Sequence, residues 1–68
     1  MIIHVNGESR GIGDGETVAA LLHELEIRAD RVAVELNLEI LERNEYESRG
    51  LREGDRVEIL SFIGGGAR

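Results

Sequence analysis

Apolar and polar residues follow two different periods along this chain, and the switches between them mark its elements. Ile2-Ile3-His4-Val5 is a short β-branched run followed by Asn6-Gly7, a dipeptide suited to a two-residue hairpin turn, so Glu8 to Ile12 reads as the return strand. Gly13-Asp14-Gly15 then breaks the extended pattern. From Thr17, an N-cap residue by type, the period lengthens. Val18, Leu21, Leu22 and Leu25 fall at i, i+3, i+4 and i+7, one apolar stripe on a helix from Thr17 to about Glu26. Val32-Ala33-Val34-Glu35-Leu36 returns to strict alternation and predicts a half-buried strand. Asn37 opens a turn, and Glu39-Ile40-Leu41 is a further short extended piece. Arg43 to Ser48 is polar around Tyr46 and is read as a single helical turn; Gly54-Asp55 is a turn before a last strand from Arg56 to Ile63.

The predicted order is β-β-α-β-(β)-β. One helix carries one apolar stripe, and a single sheet is the only partner that can bury it. First and last strands of such a sheet lie side by side in its centre, parallel, with the helix as crossover. The expected fold class is therefore α+β: a β-grasp, or ubiquitin-like, mixed sheet of four to five strands crossed by one main helix. The domain is expected over residues 1–63, with a flexible glycine-rich tail at 64–68.

Composition narrows the function. A chain of 68 residues supports one small domain, which buries only ~60 % of the surface its unfolded form exposes, so binding and carrier roles stand ahead of enzyme roles. There is no cysteine, which removes disulfides, thiolate metal sites and a cysteine nucleophile. A net charge of −6 argues against nucleic acid and for a basic protein partner or simple solubility. No long apolar run or signal peptide is apparent, so a cytoplasmic protein without membrane contact is expected. His4 and His23 are read as surface histidines rather than metal ligands, and neither has a serine at catalytic spacing. Glycines 11, 13 and 15 lack the Gly-Lys-Ser/Thr continuation of a phosphate loop and read as a turn before a capped helix.

The end of the chain carries the chemistry. Ile63-Gly64-Gly65-Gly66-Ala67-Arg68 follows the last strand, and three glycines in a row pass through a channel too narrow for side chains. A glycine carboxylate is a poor electrophile until ATP converts it to a mixed anhydride. Glycine-rich ends are also ordinary frayed termini, and on the tail alone both readings stand. In the last strand, Val57 and Ile59 are expected to face the helix. Leu60 and Phe62 then face away, partly exposed beside Ile2 and His4, as a partner-docking surface or as ordinary surface apolar residues.

Taken in order, these segments resemble the ThiS family, the small sulfur carriers of thiamine biosynthesis. The resemblance rests on Ile3-His4-Val5-Asn6-Gly7, Gly15-Glu16-Thr17-Val18 with Leu21-Leu22, and Val32 to Asn37. It continues through Glu39-Ile40-Leu41-Glu42-Arg43, Tyr46, Leu51 with Gly54-Asp55-Arg56-Val57-Glu58-Ile59, and the terminal glycines. The absence of proline before the glycines sets the chain apart from the related molybdopterin carriers. The resemblance implies a carrier rather than an enzyme, with Gly66 as the adenylation and thiocarboxylate site and Gly64-Gly65 as its slim approach. It implies no bound cofactor, ATP being used by the partner. The implied partners are an E1-like adenylyltransferase (ThiF-like), a sulfur donor and a thiazole synthase (ThiG-like). Two departures stand out. Leu38 occupies a position where many relatives have glycine. Ala67-Arg68 lies beyond the usual diglycine end: either a tail-trimming protease removes it, as in carriers serving cysteine or homocysteine synthesis, or it is a cloning remnant, or the protein is not an ordinary thiamine carrier. That processed carrier, a molybdopterin carrier, and a non-carrier ubiquitin-like interaction module are the alternative readings.

Overall fold

The computed structural model describes residues 1–61. Strands β1 (Ile2–Val5) and β2 (Glu8–Gly11) form a hairpin, and α1 (Val18–Glu24) follows. A 3₁₀ turn (Ala29–Arg31) leads into β3 (Val32–Leu36) and β4 (Glu39–Ile40); a second 3₁₀ turn (Arg43–Glu45) precedes β5 (Arg56–Ser61). The sheet has five strands in the order β2-β1-β5-β3-β4, with β1 and β5 parallel at its centre and the other pairs antiparallel. This is the β-grasp arrangement that the periodicity predicts.

Local chemistry explains each boundary. Asn6 (φ 49°) and Gly7 (φ 86°) both take the positive φ that a mirror-image two-residue turn demands, and Val5 pairs with Glu8 across it. The Thr17 side chain accepts the Ala20 N–H at 3.1 Å and starts the helix. At the other end Leu25 is the C-cap and Glu26 turns left-handed (φ 62°). The Glu26 N–H donates to the His23 carbonyl at 3.0 Å and the Ile27 N–H to the Leu22 carbonyl at 2.9 Å, the two bonds of a Schellman stop. The helix is therefore shorter than the Thr17–Glu26 span expected, because Glu26 takes the left-handed cap position where glycine is usual.

Val18, Leu21 and Leu22 are fully buried against Ile3, Val34 and Val57 of the sheet, as the stripe requires. Leu25, expected to be buried with them, is only half-buried, because as C-cap it sits at the rim of the layer. The return strand stops at Gly11, and Ile12 turns into the core instead. The Ile12 N–H still bonds to the Met1 carbonyl at 2.8 Å, and the Met1 ammonium donates to the Ile12 carbonyl at 2.9 Å. Leu41 likewise leaves β4 and is buried. The last strand runs through Ser61; its expected continuation to Ile63, and the division between a domain at 1–63 and a tail at 64–68, lie outside the described residues.

Truncating Leu22 to alanine removes a side chain that is 1 % exposed and is expected to cost about 2–5 kcal/mol in urea unfolding. Leu38 holds φ 73° in the β3–β4 turn while 87 % exposed, so it bears backbone strain with no packing in return. Leu38→Gly is expected to raise stability by about 0.5–1 kcal/mol, the relief of left-handed strain less the added freedom of the unfolded chain.

Candidate functional site

The chemistry assigned to the C-terminal glycines depends on the strand that precedes them. β5 is the middle strand of the sheet and is bonded along both edges. On one side the His4 N–H donates to the Asp55 carbonyl at 2.9 Å and the Asn6 N–H to the Val57 carbonyl at 2.8 Å. On the other, β5 runs antiparallel to β3 from Leu36↔Val57 to Val32↔Ser61. Its start is fastened by Asn37, whose N–H donates to the Arg56 carbonyl at 2.8 Å and whose Oδ1 accepts the Arg56 N–H at 3.0 Å. Asn37 Nδ2 also reaches Asp55 Oδ1 at 3.0 Å, while Asp55 Oδ2 accepts the Arg52 N–H at 2.8 Å.

Alternation divides β5 between two environments. Val57 is buried and Ile59 half-buried under the helix side, whereas Glu58 and Leu60 point to the uncovered face, with Leu60 49 % exposed. Leu60 lies opposite Ala33, and Glu58 lies opposite Glu35. Glu35 is in turn paired with Ile40, which is 71 % exposed. The open face near the end of β5 is thus an acidic cross-strand pair flanked by two apolar side chains. Like charges placed directly opposite cost stability in a sheet, and a cationic partner would relieve them.

The register corrects one expectation. Leu60 does not sit beside Ile2 and His4. His4 pairs with Arg56, so Ile2 is level with Gly54, and Leu60 lies six residues further along β5, about 20 Å away at strand spacing. Ile2 and His4 share the open face with Leu60 but belong to its opposite end. Glu35, Glu58 and Ile40 were not singled out as site residues; only the register shows that they neighbour Leu60. Phe62, Gly64, Gly65 and Gly66 lie outside the described residues.

On the helix side, an open groove runs past the end of α1 and is lined by Val5, Leu25, Ile27, Val32, Ile59 and Ser61. At its rim the Arg28 guanidinium donates to both oxygens of Asp30, at 3.1 and 3.0 Å, and that hydrogen bonding holds the exposed Asp30 carboxyl below its ordinary range. His4 lies in a shallow depression with Gly7, Arg56 and Glu58. Among the described residues no group of three His, Cys, Asp or Glu is placed to hold a metal ion, and no helix is long and apolar enough to cross a membrane.

Comparison with known proteins agrees with the geometry. The ThiS family model matches residues 3–66. A thiazole synthase of Paramagnetospirillum magneticum is 45 % identical over 67 residues, covering 98 % of this chain and 21 % of that protein. A second thiazole synthase, of Magnetococcus marinus, is 41 % identical over 66 residues, or 97 % of this chain and 20 % of that protein. The chain therefore spans about a fifth of the length of these two relatives. The sulfur carrier protein ThiS of Thermus thermophilus is 37 % identical over 65 residues, 96 % of this chain and all of that one. The crystal structure of the thiamine biosynthesis protein ThiS of Geobacter metallireducens superposes with a TM-score of 0.84 at 39 % identity, covering 97 % of this chain and 100 % of the other. A match over residues 3–66, a full-length relative at 37 % identity and a shared β-grasp architecture lead to one conclusion: the chain belongs to the ThiS family.

Proposed function

We propose that this protein is a sulfur carrier for thiamine biosynthesis, a co-substrate of other enzymes rather than a catalyst, with Gly66 as the reactive residue. The observation that carries the reading is the family match, which ends on Gly66 and includes the central strand leading towards it. The domain provides an address and the glycines provide reach, while the catalytic groups belong to the partners.

The chemistry follows from a carboxylate at Gly66. A carboxylate oxygen attacks the α-phosphorus of ATP in an E1-like, ThiF-like adenylyltransferase, and pyrophosphate leaves. The acyl-adenylate is then open to a persulfide sulfur of the donor, with AMP as leaving group. A thiol cleaves the resulting acyl persulfide at its S–S bond, leaving the thiocarboxylate on Gly66 and a disulfide on the donor side. The thiocarboxylate gives its sulfur to a ThiG-like thiazole synthase; two relatives bearing that name contain a segment similar to this chain. ATP is bound by the partner, and this chain holds no cofactor of its own. The carboxyl of Gly66 must be free for the first step; a protease that cuts after Gly66 is one way to free it. The cytoplasm, where the donor and ATP are found together, is the compartment this chemistry requires.

Leu60 and Phe62 are assigned to docking on the adenylyltransferase. Leu60 is half-exposed on the uncovered sheet face next to the acidic Glu35–Glu58 pair, which supports a partner surface with a cationic component.

Incubation with ATP, the cognate adenylyltransferase and a sulfur donor is expected to raise the intact mass of the form ending at Gly66 by the exchange of one oxygen for sulfur. The 68-residue chain is expected to stay unchanged. Equal adenylation of both lengths in an ATP–pyrophosphate exchange assay would remove Gly66 from its role, and no mass change in either would favour an inert interaction module. Gly65→Val is expected to abolish pyrophosphate exchange while leaving the melting temperature in place. A Leu60→Ala/Phe62→Ala double variant is expected to weaken binding to the adenylyltransferase by at least about tenfold in a titration, the scale of losing an interface anchor. Unchanged affinity would reject the docking face and leave the carrier role standing.

A further inference from the structure

β1 ends at Val5, yet β5 continues for four residues past Val57, the partner of Val5. In a continued parallel ladder the Ile59 N–H would bond to the backbone carbonyl of residue 6, and the Ile59 carbonyl would take the N–H of residue 8. The hairpin carries the backbone away at Asn6-Gly7, so neither group is there. The Asn6 side chain fills both places. Its Oδ1 accepts the Ile59 N–H at 2.7 Å, and its Nδ2 donates to the Ile59 carbonyl at 3.3 Å. The Asn6 backbone N–H meanwhile holds the Val57 carbonyl at 2.8 Å.

Three requirements converge on asparagine here. A carboxamide carries the donor and acceptor pair of a peptide group, which aspartate lacks. Asparagine adopts the observed φ of 49° more readily than a longer side chain. Its single methylene lets the amide stand where the next peptide of the ladder would be. Without this clamp, residues 59–61 of β5 would be held by β3 alone and would behave as an edge.

Resting on the carrier reading above, we infer that Asn6 is a positioning residue for sulfur loading: its carboxamide keeps β5 in the sheet as far as Ile59 and so fixes the direction in which the chain sets out towards Gly66. The residue acts through β5 and touches no reacting atom. Asn37 performs a similar task on Arg56 at the opposite end of the same strand, also from a positive φ (52°), and so provides a matched control remote from the glycines.

The test compares Asn6→Gly with Asn37→Gly, since glycine keeps the left-handed backbone and deletes only the side chain. Amide hydrogen exchange in the 68-residue chain is expected to quicken about tenfold at Ile59 in Asn6→Gly, the scale of two lost hydrogen bonds, and to stay as in the parent at Ile59 in Asn37→Gly. In the forms ending at Gly66, Asn6→Gly is expected to lower kcat for ATP–pyrophosphate exchange about three- to tenfold while its Kd for the adenylyltransferase stays within about twofold. Asn37→Gly is expected to keep the parent kcat. An unchanged Ile59 exchange rate overturns the clamp. Parental kcat in Asn6→Gly, or an equal loss in Asn37→Gly, overturns the positioning role while the carrier reading stands. Absence of pyrophosphate exchange in the parent form ending at Gly66 overturns the carrier reading and the positioning role together, and is distinguished by occurring without any substitution.

Discussion

Seven residues of α-helix have to cover one face of a five-stranded sheet, and everything else in the fold answers to that shortage. The remaining cover comes from the irregular segment between β4 and β5, where Leu41, Tyr46 and Leu51 are buried too. The two parts are fastened into one layer. The Val18 N–H donates to the Arg49 carbonyl at 3.1 Å and the Ala19 N–H to the Tyr46 carbonyl at 2.8 Å, so the segment satisfies N–H groups that a helix start leaves orphaned. The Leu51 N–H returns a bond to the Glu16 carbonyl at 2.8 Å, and the Tyr46 hydroxyl reaches the Val32 carbonyl at 3.5 Å. A capping box between Glu42 and Glu45 stabilises the 3₁₀ turn that delivers Tyr46.

Covering only one face has a functional corollary. The core side of β5 is committed to packing through Val57, while its other side, which no described residue covers, carries Glu58 and Leu60. On the proposed reading, a partner that grips the strand and receives the glycines would meet the sheet from this side, without disturbing the helix layer. On that reading, stability and recognition fall to opposite faces of one strand, by nothing more than the period of two.

Much of this architecture was legible in the chain. The stripe Val18-Leu21-Leu22, the Asn6-Gly7 turn and the alternation in Val32 to Leu36 each carry a local physical cause, and each appears where its pattern placed it. What escaped the sequence depends on tertiary context. Glu26 carries no intrinsic helix-stopping signal; the Schellman bonds around it, with Ile27 packed on the core, hold it left-handed against its preference. Leu41 and Leu51 stand in no periodic run, so their burial follows only from the layer they complete. The neighbours of Leu60 depend on register, which composition does not encode: Ile2 shares its face yet lies at the far end of the sheet, whereas Glu35, Glu58 and Ile40 come together from three strands. The second role of Asn6, beyond turning the chain, is invisible without the parallel partner it bonds. The role given to Gly64 to Gly66 rests on the family resemblance, and these positions lie outside the described residues.

The central place of β5 also decides how the domain responds to load. An enzyme that drew the glycines into a narrow site, as the proposed function has it, would exert tension along β5 from its C-terminal end. Because β5 has β1 on one side and β3 on the other, that tension acts across hydrogen bonds lying roughly at right angles to it, and both ladders are loaded in shear. Bonds in shear yield together, whereas those of a peeled edge strand yield one at a time, so a pulled centre strand resists rupture far longer than an edge strand of equal length. Forced rupture is governed by the unfolding rate rather than by equilibrium stability. A domain of this size can therefore be modest in stability and still serve as a firm mechanical handle.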